Sequence, residues 1–377
     1  MQQNDACFQV VDHNVLRRFC ARLFSAAGLA EADARLVSDS LVASNLRGID
    51  SHGVARIPHY LRRLAHGSIN SRPQIGTERR SPSTAVVDGD HGLGQLVMQC
   101  ATESAVELAR EAGSGWVSVR NSSHCGALAY YGLQIADAGM IGLVFTHVDP
   151  MVIPYDAQNP FCGTNPICIA APRTARGAGD LETGAFCLDM ATSKVPWNII
   201  VNACIEQVPV ESGWGADKDG NDTTDPRSVV GLYPVGGYKG SGLGLAIDVL
   251  CSLLSDSPYG PDIPAMYGDF QERRLLGGLV GAIDIGRFLP PEHFFRRLDD
   301  LLNRWSAQPA KEAGGRVFYP GEPELVRQQQ RLRDGIPIGE QTLRELDEAA
   351  AAHEIDRLPR RSEEPTPQTS TAESPLE

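Results

Sequence analysis

The feature that most constrains the fold is a change of hydrophobic period near residue 70. Before it, apolar residues recur every three or four positions over residues 12–27, 31–46 and 54–65, which predicts three amphipathic helices. Beyond it, short apolar runs typical of strands alternate with helical stretches. The predicted strands are 84–89, 115–121, 140–148, 166–172 and 279–285, and the intervening helices are 95–112 and 127–138. This order predicts an α+β or mixed α/β fold.

Helical periodicity returns near the end of the chain, over residues 292–305 and 322–352. We expect these two helices to pack against the N-terminal ones. The last residues are rich in Pro, Ser, Thr and Glu and hold almost no core-forming side chains, which predicts disorder. The predicted division is a helical unit from residues 1–70 and 290–358, an α/β unit from 71–289, and a disordered tail from 359–377.

Charge and composition exclude several classes of partner. The formal net charge of −13 argues against nucleic acid and against anionic membrane surfaces. No apolar run approaches the roughly 20 residues that a membrane-spanning helix needs. The nine cysteines form no CxxC pair and the first residues are too polar for a signal peptide, which favours reduced thiols and a cytoplasmic location. The sequence therefore favours a small-molecule ligand.

The segment GIDSHGVARIPHYLRRL at residues 48–64 groups three side chains that suit a small organic acid. Ser51 offers a hydroxyl, His52 an imidazole, and Arg56 a guanidinium that pairs with a carboxylate through two hydrogen bonds. They fall where a loop enters a predicted helix, and the free N–H groups there also favour an anion. This set is sufficient to hold a carboxylate and to move one proton beside it.

A second candidate is His124, in the segment VRNSSHCGALAYYG. It follows a predicted strand and precedes a predicted helix, a position where α/β proteins often place their functional side chains. The alternative is a structural histidine whose hydrogen bonds are satisfied internally. His147 and Asp149 have a spacing that could begin a metal site, but no third and fourth ligands follow, and we predict no metal.

Two glycine-rich stretches, 89–95 and 236–244, lack the GxGxxG spacing of a dinucleotide-binding Rossmann loop. In the second stretch, Lys239 and Gly240 precede a helix, which suits either a phosphate or a tight packing turn. The segment GTNP places Thr164 at a strand end, and LDMATS does the same for Asp189. An aspartate there can accept hydrogen bonds from ribose hydroxyls, and ordinary helix capping is the alternative.

Taken together, these segments resemble the malate/L-lactate/ureidoglycolate dehydrogenase family over about residues 10–345. The matching pieces, all in register, are RGIDSHGVAR, SSHCGALAYY, DPMVIPY, FCGTNP, LDMATS, DKDGNDTTDP, GGYKGSGL and YPGE. The resemblance implies a non-Rossmann fold, type-2 malate/lactate dehydrogenase-like, in which a helical part from both termini packs on a mixed sheet. It also implies NAD or NADP as cofactor, and a homodimer or a higher homo-oligomer.

The resemblance further implies a role for each candidate residue. His124 matches the proton acceptor and also contacts the cofactor, Ser51 and His52 match a proton-donating pair, and Arg56 matches a ligand of the substrate carboxylate. Thr164 and Asp149 belong to matching segments and are expected beside the substrate. The remaining expected cofactor contacts are Asp189, Met190, Ala191, Lys239, Gly240, Pro320, Gly321 and Glu322.

The activity that these matches predict is hydride transfer between a nicotinamide and the alpha carbon of a small 2-hydroxy acid, with ureidoglycolate, which would give oxalurate, as the nearest likeness. Malate or lactate oxidation, and reduction of a 2-oxo or imino acid of the diketogulonate type, are alternatives. Relatives carry a charged residue where this chain has Ile199, so a cofactor-binding member without catalysis is a further alternative. A hydrolase that uses Ser51 and His52 is disfavoured because no GxSxG turn is present.

Overall fold

The computed structural model describes residues 8–174, 184–312 and 314–359. Its helices are α1 (His13–Ala26), α2 (Glu31–Leu46), α3 (Ile57–Ala65), α4 (Gly94–Ala112), α5 (Ala129–Asp137), α6 (Trp197–Glu206), α7 (Tyr238–Asp248), α8 (Pro291–Ser306), α9 (Glu322–Asp334) and α10 (Glu340–Ala352). Its strands are β1 (Phe8–Val11), β2 (Gly76–Ser81), β3 (Thr84–Asp88), β4 (Ser114–Ser122), β5 (Met140–Thr146), β6 (Ile167–Pro172), β7 (Ala185–Met190), β8 (Gly215–Ala216), β9 (Gly231–Leu232), β10 (Leu276–Asp284) and β11 (Ile336–Gly339).

The main sheet has seven strands in the order β2-β3-β4-β10-β5-β6-β7. Only β3 and β4 run parallel, and every other neighbouring pair is antiparallel. A doubly wound dinucleotide-binding fold needs a mostly parallel sheet, so this topology differs from it. The predicted mixed α/β class is therefore confirmed by the sheet.

Both faces of this sheet are covered. Helices α4 and α5 bury one face, where Val87, Val117, Val144 and Val280 are fully enclosed. On the other face, α7 continues into one π-helical turn at Val249–Leu253 and packs over β5 and β10. Lys239 and Gly240 were expected to precede this helix. They lie inside its first turn instead, because α7 begins at Tyr238.

A second core joins both ends of the chain. Apolar side chains of α1, α2 and α3 pack with those of β11 and α10 around Leu16, Leu41 and Leu346. The predicted helix over 322–352 is wrong in one respect, because β11 divides it into α9 and α10. Gly335 ends α9 with a φ of +90°, and β11 then pairs antiparallel with β1, a strand that the sequence analysis did not predict.

The division into a helical and an α/β unit stays a prediction, although the two cores follow it in part. The predicted tail lies, from residue 360 onward, outside the described residues. Leu358 is fully buried in the helical core, so ordered structure extends at least that far. No helix in the described ranges is long and apolar enough to cross a membrane.

Candidate active site

Two histidines that are far apart in the sequence face each other where the helical core meets the sheet. His52 ends a short 3-10 turn before α3, and His124 follows β4. Their rings are stacked, with centroids 5.6 Å apart and an interplanar angle of 25°. The packing of the N-terminal helices on α4 therefore brings the two strongest sequence candidates into one site.

The Ser51-His52-Arg56 group is held rigidly at the entry to α3. The Ser51 hydroxyl lies 2.9 Å from His52 Nδ1, and Arg56 Nε donates to the Ser51 carbonyl at 2.6 Å. Arg56 also donates to the Tyr267 hydroxyl. Arg331 of α9 forms a two-pronged ion pair with Asp50 at 2.7 and 3.0 Å, which fixes the 3-10 turn Asp50–His52 to α9.

His124 is bound at one ring nitrogen. The Tyr60 hydroxyl lies 2.6 Å from His124 Nδ1, and the Gly126 N–H points to the same nitrogen at 3.4 Å. Gln95 Nε2 donates to the Tyr60 oxygen at 3.0 Å. Nδ1 is thus occupied by the protein, and Nε2 is the nitrogen left for a substrate.

Burial and neighbouring cations keep these histidines neutral. Burial, with Arg56 as the next cause, lowers the pKa of His52 to about 4. The pKa of His124 is also lowered well below its usual range, first by burial and then by His52 and Arg56. Burial and four nearby arginines lower the pKa of His59 to about 3. At neutral pH the site therefore presents neutral imidazoles beside cationic guanidinium groups, which favours an anionic ligand.

Asp149, predicted to contact substrate, is observed in a structural ion pair. One carboxylate oxygen accepts a hydrogen bond from Arg274, and the other accepts from the Met266 N–H at 3.1 Å. Arg274 is itself buried, and its Nε and Nη1 have no hydrogen-bond partner within the described part of the chain. Asp149 thus supports a guanidinium that has two free donors close to the histidines.

Arg63 fastens the loop before β10 over this site. Its guanidinium donates to the carbonyls of Ala265, Met266 and Glu272 at 3.1, 2.7 and 2.9 Å. The side chain is almost fully buried, so these bonds replace the water that it gives up. The loop that carries Tyr267 and Arg274 is fixed to α3 in this way.

A cavity of about 370 Å³ lies between the end of α2, β7 and the start of α9, and Ile49 and Ala129 are among the residues that line it. Asp189, Pro320 and Gly321, three of the predicted cofactor contacts, line it, together with Arg47. Asp189 accepts from the Ala129 N–H at 2.7 Å, and burial raises its pKa to about 6. A Cβ at position 321 would lie 3.0 Å from Cys187, which explains the need for glycine in this wall.

Other predicted cofactor contacts do not line this cavity. Glu322 turns away to pair with Arg316 and to accept from the Tyr319 N–H at 3.3 Å. Lys239 is exposed, with its ammonium 6.0 Å from the centre of the Tyr238 ring. Lys239 does not line the cavity. It would contact a molecule bound there only if that molecule extends out of the cavity or the lysine side chain changes conformation.

The end of β7 at Met190 and the residues after it, Ala191 and Thr192, are attached to two other predicted motifs. The Thr192 N–H donates to the Thr164 carbonyl at 2.8 Å, and the Val235 N–H donates to the Thr192 carbonyl at 2.9 Å. A Cβ on Gly240 would lie 2.0 Å from the Val235 carbonyl oxygen, so this position requires glycine. Backbone hydrogen bonds thus join the LDMATS segment to the GTNP segment and to the residue before the second glycine-rich stretch.

His147 has a structural environment. It is fully buried, accepts from the Gly277 N–H at Nε2 over 2.7 Å, and lies 2.8 Å from the Ser252 hydroxyl at Nδ1. No group of three or more candidate metal ligands occurs among the described residues. Ile199 lies on α6 and is 37% exposed, and α6 packs against Val210 and Leu232.

Sequence reasoning missed Tyr60, Gln95 and Arg274. One signal was available for Tyr60, because it lies four residues after Arg56 and so on the same helical face. Gln95 and Arg274 carried no comparable signal, since only the packing of α4 and of the loop before β10 places them here.

Comparison with known proteins gives a consistent result. The sequence pattern of the malate/L-lactate dehydrogenase family matches residues 11–347. An Escherichia coli O157:H7 ureidoglycolate dehydrogenase (NAD⁺) is 33% identical over 87% of this chain and 92% of its own. A Methanocaldococcus jannaschii L-sulfolactate dehydrogenase is 36% identical over 85% and 90%. The solved structure of Pyrococcus horikoshii OT3 malate dehydrogenase superposes with a TM-score of 0.84 at 32% identity, covering 95% of this chain and 99% of that one.

Proposed function

The chain belongs to the malate/L-lactate dehydrogenase family, and on that premise we propose that it oxidises a small 2-hydroxy acid at its alpha carbon with a nicotinamide cofactor. The observation that carries the proposal is the pair of stacked, neutral histidines beside Arg56. A neutral imidazole accepts a hydroxyl proton, and a guanidinium holds the carboxylate next to it.

We assign the proton transfer to His124. Its Nδ1 is held by Tyr60, so the ring is oriented, and its Nε2 remains to take the hydroxyl proton as hydride leaves the alpha carbon. Arg56 would bind the carboxylate in two-pronged fashion, because its Nη atoms keep donors free beyond those used by Ser51 and Tyr267. His52, bonded to Ser51, packs on His124 and supports it.

The cavity between the end of α2, β7 and the start of α9 suits the nucleotide part of the cofactor. Asp189 is placed to accept hydrogen bonds from ribose hydroxyls, Gly321 lets the cofactor approach the wall closely, and Arg47 Nε is buried there without a partner in the described ranges. When bound, the nicotinamide supplies the hydride acceptor. We propose NAD as the cofactor, because the ureidoglycolate relative is named for NAD⁺, and NADP is the alternative.

For the substrate we propose ureidoglycolate first. The free Nε and Nη1 donors of Arg274 favour an acid that carries a second acceptor group, and a ureido carbonyl is one such group. A second carboxylate, as in malate, or a sulfonate, as in sulfolactate, would satisfy the same donors, and relatives are named for both. Lactate has no group for these donors and should be a poorer substrate.

The test is a panel of ureidoglycolate, malate, sulfolactate and lactate with NAD or NADP, measured by the absorbance of reduced nicotinamide. The matched variant is Arg274→Lys, which keeps a cation for Asp149 but lacks the planar guanidinium and its Nε and Nη1 donors. It should raise KM for the acids with a second acceptor and leave that for lactate nearly unchanged. No turnover of any panel member by the unmodified protein would contradict the proposal.

We also propose that the chain forms a homodimer or a higher homo-oligomer. Four side chains on α7, its π-helical turn and the residue after that turn are each between 46% and 59% exposed, and they would form an apolar surface that a second copy covers. They are Leu245, Val249, Leu253 and Leu254. Light scattering coupled to size exclusion tests this. Leu253→Asp should lower the measured mass, and an unmodified protein that is monomeric at micromolar concentration would contradict it.

A further inference from the structure

We propose that Gln95, acting through Tyr60, sets which ring nitrogen of His124 carries the proton, and that its side-chain amide must turn to make His124 a base. Tyr60 and Gln95 are positioning residues in this proposal, since neither lies where it would touch the reacting atoms. The consequence for rate rests on the proposed function, whereas the assignment of the ring proton does not.

The three groups form one buried chain of hydrogen bonds. Gln95 is fully buried and Tyr60 is 1% exposed. Gln95 Nε2 lies 3.0 Å from the Tyr60 oxygen, which lies 2.6 Å from His124 Nδ1. Because Gln95 and Tyr60 are shielded from water, we assign the hydrogens of their polar groups to partners within the chain.

That assignment fixes the ring of His124 in the observed arrangement. The amide N–H of Gln95 donates to the Tyr60 oxygen, so the hydroxyl hydrogen of Tyr60 points to His124 Nδ1. The Gly126 N–H points to the same nitrogen. Nδ1 is therefore an acceptor, and in a neutral ring the hydrogen lies on Nε2. A ring in this form cannot take a second proton at Nε2, which is where a substrate hydroxyl would approach.

One unsatisfied atom points to the competent arrangement. Gln95 Oε1 is buried and has no hydrogen-bond partner within the described part of the chain. If the amide turns over, Oε1 takes the place of Nε2 beside Tyr60. Tyr60 then donates to Oε1 and accepts from a hydrogen on His124 Nδ1, which leaves Nε2 bare.

With hydrogen on Nδ1 and a bare Nε2, His124 can accept the proton that the oxidation releases. The substrate hydroxyl proton would move to Nε2 as the alpha carbon becomes a carbonyl carbon, and a bound nicotinamide would accept the hydride with its electron pair. The ring becomes an imidazolium, and its Nδ1–H still donates a hydrogen bond to the Tyr60 oxygen. The reverse reaction starts from the same imidazolium, so one orientation of the Gln95 amide serves both directions.

The experiment compares three variants. Tyr60→Phe removes the relay hydroxyl, and Gln95→Met replaces the amide with an apolar chain of similar length, which leaves His124 Nδ1 as the one remaining acceptor for Tyr60. The matched control is Tyr131→Phe, because Tyr131 is also fully buried and its hydroxyl donates to the Cys125 carbonyl at 2.6 Å, next to His124 but not on it.

The first readout is the ¹⁵N spectrum of histidine-labelled protein without substrate, which distinguishes a protonated from a bare ring nitrogen. Without substrate the unmodified protein should show both forms of the His124 ring, because the Gln95 amide takes both orientations. Tyr60→Phe and Gln95→Met should leave only the form with hydrogen on Nε2, and Tyr131→Phe should change nothing. The second readout is kcat for 2-hydroxy acid oxidation, which should fall roughly 10- to 100-fold in the first two variants with KM held, a smaller loss than the roughly 10⁴-fold that follows loss of a charged orienting group.

Unchanged ring-nitrogen spectra in both Tyr60→Phe and Gln95→Met would overturn the proposal, as would equal kcat losses in the control. If Tyr60→Phe does not fold, Gln95→Met carries the same test. Failure of the proposed function appears differently, as an unmodified protein that turns over no acid while its His124 spectrum still responds to the variants.

Discussion

His124→Ala should reduce kcat for 2-hydroxy acid oxidation far more than His52→Ala. His124 has the free Nε2 and a Tyr60 hydroxyl at 2.6 Å that orients its ring. Loss of a general base costs roughly 10²–10⁴ in rate. At about 1.4 kcal/mol for each factor of ten, that is about 3–5 kcal/mol of barrier.

The expected loss for His52→Ala is smaller, because the structure gives this ring an indirect role. It bonds to Ser51 and stacks on His124 with a centroid distance of 5.6 Å. Its removal loosens that contact and admits water, for which we expect a loss of about tenfold, near 1.4 kcal/mol. Cofactor affinity should change little in either variant.

The pH profile separates the two roles. Burial comes first and His52 second among the causes that lower the pKa of His124. A lowered pKa keeps the base neutral further into acid, so kcat/KM should fall only well below pH 6.5. His52→Ala should move that fall toward higher pH, and His124→Ala should abolish it.

The assay is the absorbance of reduced nicotinamide over a pH series, with thermal melts to show that both variants fold. A larger kcat loss in His52→Ala than in His124→Ala would refute the reasoning. The proton would then pass through Ser51 and His52, the proton-donating pair that the family resemblance implies.

Three further predictions follow from other contacts. Arg56→Lys should raise KM for the acid about tenfold or more and leave cofactor affinity unchanged, because lysine loses the planar fork; equal KM values would mean that another residue holds the carboxylate. Gly240→Ala should lower the free energy of unfolding by about 1–3 kcal/mol in denaturant titration, since its Cβ would lie 2.0 Å from the Val235 carbonyl oxygen. Truncation after residue 359 should leave the melting temperature unchanged, because Leu358 is the last core residue in the described part of the chain and the residues beyond it hold almost no core-forming side chains. A drop of several degrees would contradict this.

Much of the fold was predictable from local patterns. The helices α1, α2, α4 and α5 and the strand β5 match the predicted ranges closely, because each carries its own hydrophobic period. The pairing of β1 with β11 was not predictable, since it joins residues from opposite ends of the chain. The place of β10 between β4 and β5 was hidden for the same reason, because strand order depends on contacts that are distant in sequence.

The candidate site, like the fold, was predictable from the sequence only in part. The sequence by itself determined which residue types were available, with Ser51, His52 and Arg56 in one turn and His124 after a strand. Only the tertiary structure decided that the two histidines face each other, that Asp149 supports Arg274, and that Gln95 contacts Tyr60 and Tyr60 contacts one ring nitrogen of His124. The physical reason is that side-chain chemistry is a property of each residue, whereas burial, hydrogen-bond partners and shifted pKa values arise only when distant segments pack together.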